Sequence, residues 1–211
     1  MSVMKKIENG REYRNLILEV KEDEGDYMVS GYATTFSQPY TLYHIDDERV
    51  LKEQILKEAF DKTDMSDVIM QYDHEGRVFA RLSNDTLHLE VDDHGLFVRA
   101  DLSGTTIGRN LYEEIKGGYT NKMSFGFTVD EDEITEDGKD YLRTIRSIGK
   151  LYDVSAVSLP ANDFTEISAR SHCDGAIAEI EAERLRAEEE ARKLAEQKEN
   201  LFKRLETLRK D

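Results

Sequence analysis

The chain has 211 residues, of which 38% are hydrophobic and 35% charged, and a formal net charge of -16 at pH 7. This length suffices for one sizeable domain plus an appendage, and the acidity argues against direct binding to nucleic acid, because like charges repel. The single cysteine, Cys173, excludes an internal disulfide, and no apolar run approaches the ~18 residues of a membrane span.

Short runs of β-branched and aromatic residues, bounded by turn residues, dominate the first three quarters of the chain. They predict strands at 12–20, 27–36, 67–72, 86–91, 96–102, 122–129, 141–148 and 150–159. Helical spacing of apolar residues predicts helices at 51–61 and 105–116, the second capped by Ser103 or Thr105. We therefore expect an α+β fold, with a mainly antiparallel sheet that is closed or curled into a barrel and has its helices outside.

The chain changes character near residue 172, which predicts a domain over 1–172 and a charged helical tail over 173–211. From residue 176 onward the chain lacks glycine and proline and is rich in strong helix formers. Apolar residues recur there every seven positions, at Ile180, Ala187, Leu194, Leu201 and Leu208. The pattern fits a helix that associates with another copy or a partner, and equally a solvated single helix held by charge pairs.

The segment 122–129 is the most informative for chemistry. Alternate side chains of a strand face opposite sides, so its large apolar residues share one face. These residues are Met123, Phe125, Phe127 and Val129. Ser124 lies on the small face with Gly126 and Thr128, where a substrate backbone has room. The pattern alone, however, fits a serine on the solvent side of an ordinary strand better than a nucleophile.

A serine nucleophile needs a neighbouring base, and five histidines are available. His74 ends the apolar run 67–72, where a rigid strand can present its imidazole to a cleft. The others lie in a hairpin turn, on a strand, at the start of the tail and in a loop, at His94, His88, His172 and His44 respectively. His74 is thus the preferred base, although each of the five also fits a surface or packed histidine.

The base in turn needs a carboxylate that orients it. Asp153 interrupts the apolar strand 150–159, where a carboxylate must be solvated or paired. Asp73 and Glu75, which flank His74, are the other candidates. Together these two acids and His74 are also possible metal ligands, which leaves a metal-dependent hydrolase as an alternative. No HExxH motif, Cys/His cluster or calcium loop supports a metal site, and we predict no cofactor.

The order of several short motifs carries a resemblance. A histidine after an apolar strand is followed by Met123-Ser124-Phe125-Gly126-Phe127, then by Asp153-Val154-Ser155 and Pro160-Ala161-Asn162. Over roughly residues 12–168 this order resembles the tailed-phage prohead protease family. The resemblance implies a serine endopeptidase with a barrel similar to that of herpesvirus assemblin. It assigns Ser124 as nucleophile, His74 as base and Asp153 as third member. The sequence does not identify the oxyanion donors; a backbone N–H near Ser124 is one candidate, and Arg143 and Arg146 are weaker ones.

The resemblance also implies a biological setting. The protease would be packaged inside an assembling procapsid in the host-cell cytoplasm. There it would cleave the scaffold segment of the major capsid protein, and also itself. The helix 176–211 would then be an assembly handle that docks onto scaffold helices. The alternative from a different class is a non-enzymatic capsid scaffold that keeps the same fold.

Overall fold

The computed structural model describes residues 2–6, 10–16, 21–22, 27–158 and 166–208, which form two β-sheets, two α-helices and two short 3-10 turns. In chain order the strands are β1 (Ser2–Lys6), β2 (Arg11–Leu16), β3 (Lys21–Glu22), β4 (Met28–Thr35), β5 (Tyr40–His44), β6 (Val50–Ile55), β7 (Ile69–Tyr72), β8 (Glu75–Arg81), β9 (Leu87–Val91), β10 (Gly95–Asp101), β11 (Lys122–Asp137) and β12 (Asp140–Val157). The helices are α1 (Thr106–Lys116) and α2 (Glu166–Leu208), and the 3-10 turns are Lys57–Phe60 and Leu82–Asn84.

The larger sheet has eight strands and branches at its two longest members, β11 and β12, which form an antiparallel hairpin. The first half of β11 pairs with β2 and its second half with β1. The first half of β12 pairs in parallel with β6 and its second half with β7. Each long strand therefore shares its outer edge between two short partners, and the sheet forks.

The predicted closed or curled barrel is wrong, because within the described ranges neither sheet closes on itself. The larger sheet runs from β1 through the central hairpin to β5, and both of these strands are edges. The smaller sheet is antiparallel and open, in the order β3-β4-β10-β9. The α+β class is correct, whereas the barrel implied by the resemblance to herpesvirus assemblin is absent from the described residues.

The main core contains buried side chains from both sheets and from α1. The large face of β11 belongs to it, as the alternation of residues 123–129 predicts, and Met123, Phe125, Phe127 and Val129 are all at most 2% exposed. The rings of Phe125 and Phe127 stack with their centroids 4.5 Å apart. The apolar face of β11 therefore anchors this strand on the main core, which also fixes the position of Ser124 on its other face.

Two element predictions are changed and one is confirmed. Residues 51–61 do not form an α-helix, because Leu51, Glu53 and Ile55 are buried alternately, with period two, in strand β6. Only Lys57–Phe60 are helical, as a short 3-10 turn. The predicted strands 141–148 and 150–159 are one continuous strand, β12, with register irregularities. The predicted cap at Thr105 is confirmed, since its side chain accepts a hydrogen bond from the Gly108 N–H at 3.0 Å. Residues 17–20 of the first predicted strand lie outside the described residues.

The first part of helix α2 packs on the larger sheet. Its buried side chains have helical spacing and form a second core cluster with residues of β5, β6, β11 and β12. They are Cys173, Ala176, Ile177 and Ile180. Farther along, Leu185, Leu194 and Leu201 are each more than half exposed. In the part of the chain that is described, no helix combines the length and apolarity needed to cross a bilayer.

The division into domains at residue 172 stays a prediction.

Candidate active site

The β11–β12 hairpin brings a serine and an aspartate together. Ser124 lies opposite Ser155 and Gly126 opposite Asp153 in its register. The side chains of Ser124, Asp153 and Ser155 are fully buried. Together they lie on the face of the hairpin opposite to the stacked phenylalanines of β11, as expected from the alternation of side chains along a strand. One hairpin thus positions a hydroxyl and a carboxylate at the same place in the sheet.

A tight turn adds His74 to this pair. β7 runs parallel to the second half of β12, with Tyr72 opposite Ala156, and the Asp73 N–H donates to the Ala156 carbonyl at 3.1 Å. Asp73 and His74 form a two-residue turn between β7 and β8, with φ angles of +48° and +61°. This left-handed conformation is unfavourable for residues other than glycine by about 1–2 kcal/mol each. The pairing of β7 with β12 holds the turn in place despite this strain.

The three side chains form a continuous hydrogen-bonded chain. Ser124 Oγ lies 2.5 Å from His74 Nε2, and His74 Nδ1 lies 2.5 Å from Asp153 Oδ1. With Nδ1–H donating to the aspartate, Nε2 is free to accept the serine proton. The order serine, imidazole, carboxylate is that of a nucleophile, its general base and the group that orients the base. The three residues predicted from the sequence are therefore adjacent in space.

The buried carboxylate of Asp153 has further donors. Its Oδ1 accepts a hydrogen bond from Ser155 Oγ at 3.0 Å, and its Oδ2 accepts one from the guanidinium of Arg11. A buried carboxylate is unfavourable unless it is hydrogen-bonded and paired with a positive charge. Both carboxylate oxygens therefore have hydrogen-bond partners. Arg11 and Ser155 hold the carboxylate in the orientation in which Oδ1 meets His74 Nδ1.

Strand β2 contacts every member of the serine–histidine–aspartate group. Arg11 forms the ion pair with Asp153, and the ring of Tyr13 lies 4.4 Å from the imidazole of His74, measured between centroids. The main-chain carbonyl of Arg14 accepts a hydrogen bond from Ser124 Oγ at 2.8 Å. Sequence reasoning missed all three contacts, because they depend on a pairing of β2 with β11 between residues more than 100 positions apart. The only local sign was that charged residues, Glu12 and Arg14, interrupt the predicted strand 12–20.

The opposite face of β2 enters a buried network of ion pairs. Arg14 bonds to Glu12 and Glu53, and Arg143 bonds to Glu12, Glu53 and Asp132, all of them at most 5% exposed. Burial raises the pKa of Glu12, but the two guanidinium groups outweigh this effect and lower the pKa to about 2. The network therefore ties β2 to the remainder of the larger sheet.

The two arginines considered as oxyanion donors are engaged elsewhere. Arg143 donates to three carboxylates of the buried network, and Arg146 is exposed and bonds to Glu133. Within the described residues, neither arginine hydrogen-bonds to Ser124, whose partners are His74 and the Arg14 carbonyl. A backbone N–H near the serine is the candidate that is left from the sequence-based proposals.

The other candidate residues lie away from this centre. Asp73 and Glu75 are exposed on the turn that carries His74, and the bonded carboxylate is Asp153. The remaining histidines are exposed, at His44, His88 and His94, or bonded to Asp132 at 3.1 Å, at His172. Among the residues that the structure describes, no group of three or more potential ligands is arranged to hold a metal ion. Burial raises the pKa of the Cys173 thiol to about 12, which keeps this thiol neutral and a poor nucleophile.

The comparison with protein families gives one match. A family model described as Caudovirus prohead serine protease matches residues 16–176, about three quarters of the chain. No curated protein and no solved structure matches the chain. The matched range includes Ser124, His74 and Asp153, and it begins after the three residues of β2 that contact them.

Proposed function

The chain belongs to the caudovirus prohead serine protease family, and on this premise we propose that Ser124, His74 and Asp153 are its catalytic residues. The family makes the chain a capsid-maturation protease that acts on phage capsid proteins inside the procapsid in the host cell. The observation that carries the assignment of residues is the chain of two 2.5 Å contacts from Ser124 Oγ through His74 to Asp153 Oδ1.

The proposed reaction is acyl transfer to Ser124. Ser124 Oγ attacks the carbonyl carbon of the scissile peptide bond while His74 Nε2 takes the hydroxyl proton. His74 then gives this proton to the leaving amine, and the C–N bond breaks to leave an acyl-enzyme. Water, deprotonated by His74, then attacks the ester carbon; the C–Oγ bond breaks, His74 returns the proton to Ser124 Oγ, and the acid product leaves. Asp153 remains ionised and stabilises the imidazolium that forms twice in this cycle.

The described conformation is a resting one in this proposal. The Ser124 side chain is fully buried, and its one hydroxyl proton is shared between His74 Nε2 and the Arg14 carbonyl. A substrate carbonyl reaches Ser124 Oγ only after neighbouring groups separate, and the proton must then be directed to His74. A protease that is closed at rest does not digest its scaffold before the particle has assembled.

The proposed substrate is the scaffold segment of the major capsid protein, with the chain itself as a second substrate. The exposed part of α2 is the proposed assembly handle, because Leu194 and Leu201 are more than half exposed and lie on one line along the helix. Scaffold helices, or a second copy of this helix, would cover these side chains. This contact would bring the protease into the particle together with the major capsid protein.

Co-expression with the major capsid protein, followed by intact-mass spectrometry, tests the proposal. The wild type should produce discrete capsid-protein fragments, and Ser124→Ala should produce none at an equal level of folded protein. Ser171→Ala, which changes an exposed serine on α2, is the matched control and should cleave like the wild type. Equal cleavage by the Ser124→Ala variant would contradict the assignment of the nucleophile. Entry of both proteins into particles without any cleavage would favour the non-enzymatic scaffold.

A further inference from the structure

Arg11 joins the buried acid of the active site to the protein surface. Its guanidinium donates to Asp153 Oδ2, and the exposed fraction of its side chain is 36%, against 0% for Asp153. Among the residues that the structure describes, the side chains that hydrogen-bond to the Asp153 carboxylate are Arg11, His74 and Ser155. Arg11 is the permanent positive charge of the three, since a guanidinium is not deprotonated in proteins.

The position of the Arg11 guanidinium is determined by two aromatic rings. Its Cζ lies 4.4 Å from the ring centroid of Tyr152 and 5.1 Å from that of Tyr13. Cations at such distances are attracted to the faces of aromatic rings. The planar guanidinium is therefore held beside Asp153 by stacking as well as by charge, and a lysine cannot reproduce this arrangement.

The backbone of Arg11 is equally well fixed. Arg11 lies opposite Thr128 in the pairing of β2 with β11. The next residue, Glu12, is 3% exposed and bonds to Arg143 on the other face of the strand. Displacing Arg11 would thus require β2 to leave both the sheet and the buried ion network. Arg11 is in this respect a fixed part of the site, although it precedes the matched residues 16–176.

We propose that Arg11 is a positioning residue of this protease: it supplies the counter-charge that holds the Asp153 carboxylate in line with His74 Nδ1. The inference rests on the proposed function, because Asp153 acts only through His74. Without Arg11, Asp153 Oδ2 loses its charged donor inside the protein, and the carboxylate is free to turn away from the imidazole. A hydrogen bond to a charged group contributes enough to change a rate by about 10- to 100-fold.

The test measures the rate of capsid-protein cleavage in isolated particles that carry the full-length chain. We expect Arg11→Gln and Arg11→Ala to cleave about 10- to 100-fold more slowly than the wild type, with unchanged cleavage sites. Arg11→Lys should be intermediate, because it keeps the charge but not the planar donors. Added guanidinium chloride should restore part of the rate of Arg11→Ala, whereas an equal concentration of sodium chloride should not. Arg81→Gln, which removes a surface arginine paired with Asp67, is the matched control.

The outcomes separate this inference from the proposed function. Ser124→Ala, measured in the same particles, fails to cleave if the proposed function is correct, whatever Arg11 does. A wild-type rate for Arg11→Gln, together with an inactive Ser124→Ala, overturns the role of Arg11 alone. A slow Arg11→Ala that guanidinium does not restore, with Arg11→Lys equally slow, also overturns it, because a general loss of structure gives that result. If Arg11→Ala does not fold, the rates of the Lys and Gln variants decide.

Discussion

Gly126 lies opposite Asp153 in the β11–β12 hairpin, and the missing side chain of the glycine provides the space that the carboxylate occupies. A Cβ atom at position 126 would lie 2.5 Å from Asp153 Oδ2 and 2.7 Å from the ring of Tyr13. Atoms that are not bonded do not approach this closely. The small residue two positions after Ser124, the proposed nucleophile, therefore lets Asp153 and Tyr13 both approach His74.

Gly126→Ala is expected to displace Asp153 or Tyr13 and to slow cleavage about 100-fold, because catalytic groups displaced by about 1 Å lose this much of their effect. The unfolding free energy should fall by about 1–3 kcal/mol, as for other insertions into packed interiors. Gly104→Ala is the control, since no atom lies within 4 Å of the added Cβ there. Cleavage rates in particles and thermal unfolding of both variants test this prediction. A Gly126→Ala variant with wild-type activity would contradict it.

The identity of the orienting acid follows from a comparison of two aspartates. Asp153→Asn should slow cleavage by ~10³- to 10⁴-fold, because an amide does not hold the histidine tautomer that donates through Nδ1. Asp73→Asn, one residue before His74 and exposed, should stay within about threefold of the wild type, because asparagine tolerates the left-handed turn equally well. Single-turnover cleavage rates distinguish the two variants. If Asp73→Asn were the slower of the two, the acid would be misassigned.

Glu12 should make the protein sensitive to acid. Its pKa in the folded protein is about 2, below the usual value of 4.5, so the folded state binds fewer protons than the unfolded one. The stabilisation is complete above about pH 4.5 and is lost as the pH falls toward 2. At pH 7, Glu12→Gln should lower the unfolding free energy by about 3 kcal/mol.

Chemical denaturation of the wild type and Glu12→Gln between pH 2 and 7 measures this effect. The difference in stability between them should shrink steadily below about pH 4.5, because the wild type loses the contribution that the variant lacks. Glu131→Gln, at an exposed position on β11, should change stability by no more than about 0.5 kcal/mol. A constant difference across this pH range would show that the charge of Glu12 is not responsible.

The exposed part of helix α2 should be dispensable for folding and required for assembly. The packed part extends to Ile180, and Arg184 still reaches Glu136 at 3.5 Å, so a chain ending after Arg186 keeps these contacts. We expect its melting temperature to stay within a few degrees of the wild type, while most of its incorporation into particles is lost. Immunoblots of purified particles measure incorporation. The double variant Leu194→Gln, Leu201→Gln should lose incorporation in the same way, whereas the control Lys193→Gln should enter particles normally. Normal incorporation of the truncated chain would contradict the proposal that the exposed part of α2 is an assembly handle.

The sequence predicted which three residues lie together at the candidate site, Ser124, His74 and Asp153, but not the shape of the sheet. Ser124, His74 and Asp153 each lie where a short apolar run is interrupted or ends. This pattern can be read from neighbouring residues alone, and the structure has strands β11, β7 and β12 at these places. Strand β6 was mistaken for a helix because Leu51 and Ile55 are four residues apart, which fits a helix as well as a strand. The decisive residue was Glu53, a buried acid whose partner Arg143 lies in the neighbouring strand β12, 90 positions later in the sequence. No local pattern reveals a partner of this kind.

The forked sheet was unpredictable for a related reason. The hairpin strands β11 and β12 are 16 and 18 residues long. The sequence pattern predicted only residues 122–129 of β11 and divided β12 into 141–148 and 150–159. Many short antiparallel strands favoured the prediction of a closed barrel. In the structure, each of the two long strands instead pairs with two short strands along its outer edge, and the sheet branches. The contacts of β2 with the active site depend on the same long-range pairing, so the role of Arg11 emerges only from the structure.

The register of the central hairpin has a consequence for the order in which the enzyme folds. Its pairing extends from Asp137 and Asp140 beside the turn to Lys122 and Val157 at the open end, and Ser124 lies near that open end. Because contacts between residues close in sequence form first, pairing should spread outward from the turn at Gly138. Ser124 and Asp153 then meet among the last steps, so we expect an incompletely folded chain to lack proteolytic activity if these residues are catalytic as proposed. Pulsed hydrogen exchange should accordingly protect amides beside Gly138 before those beside Ser124.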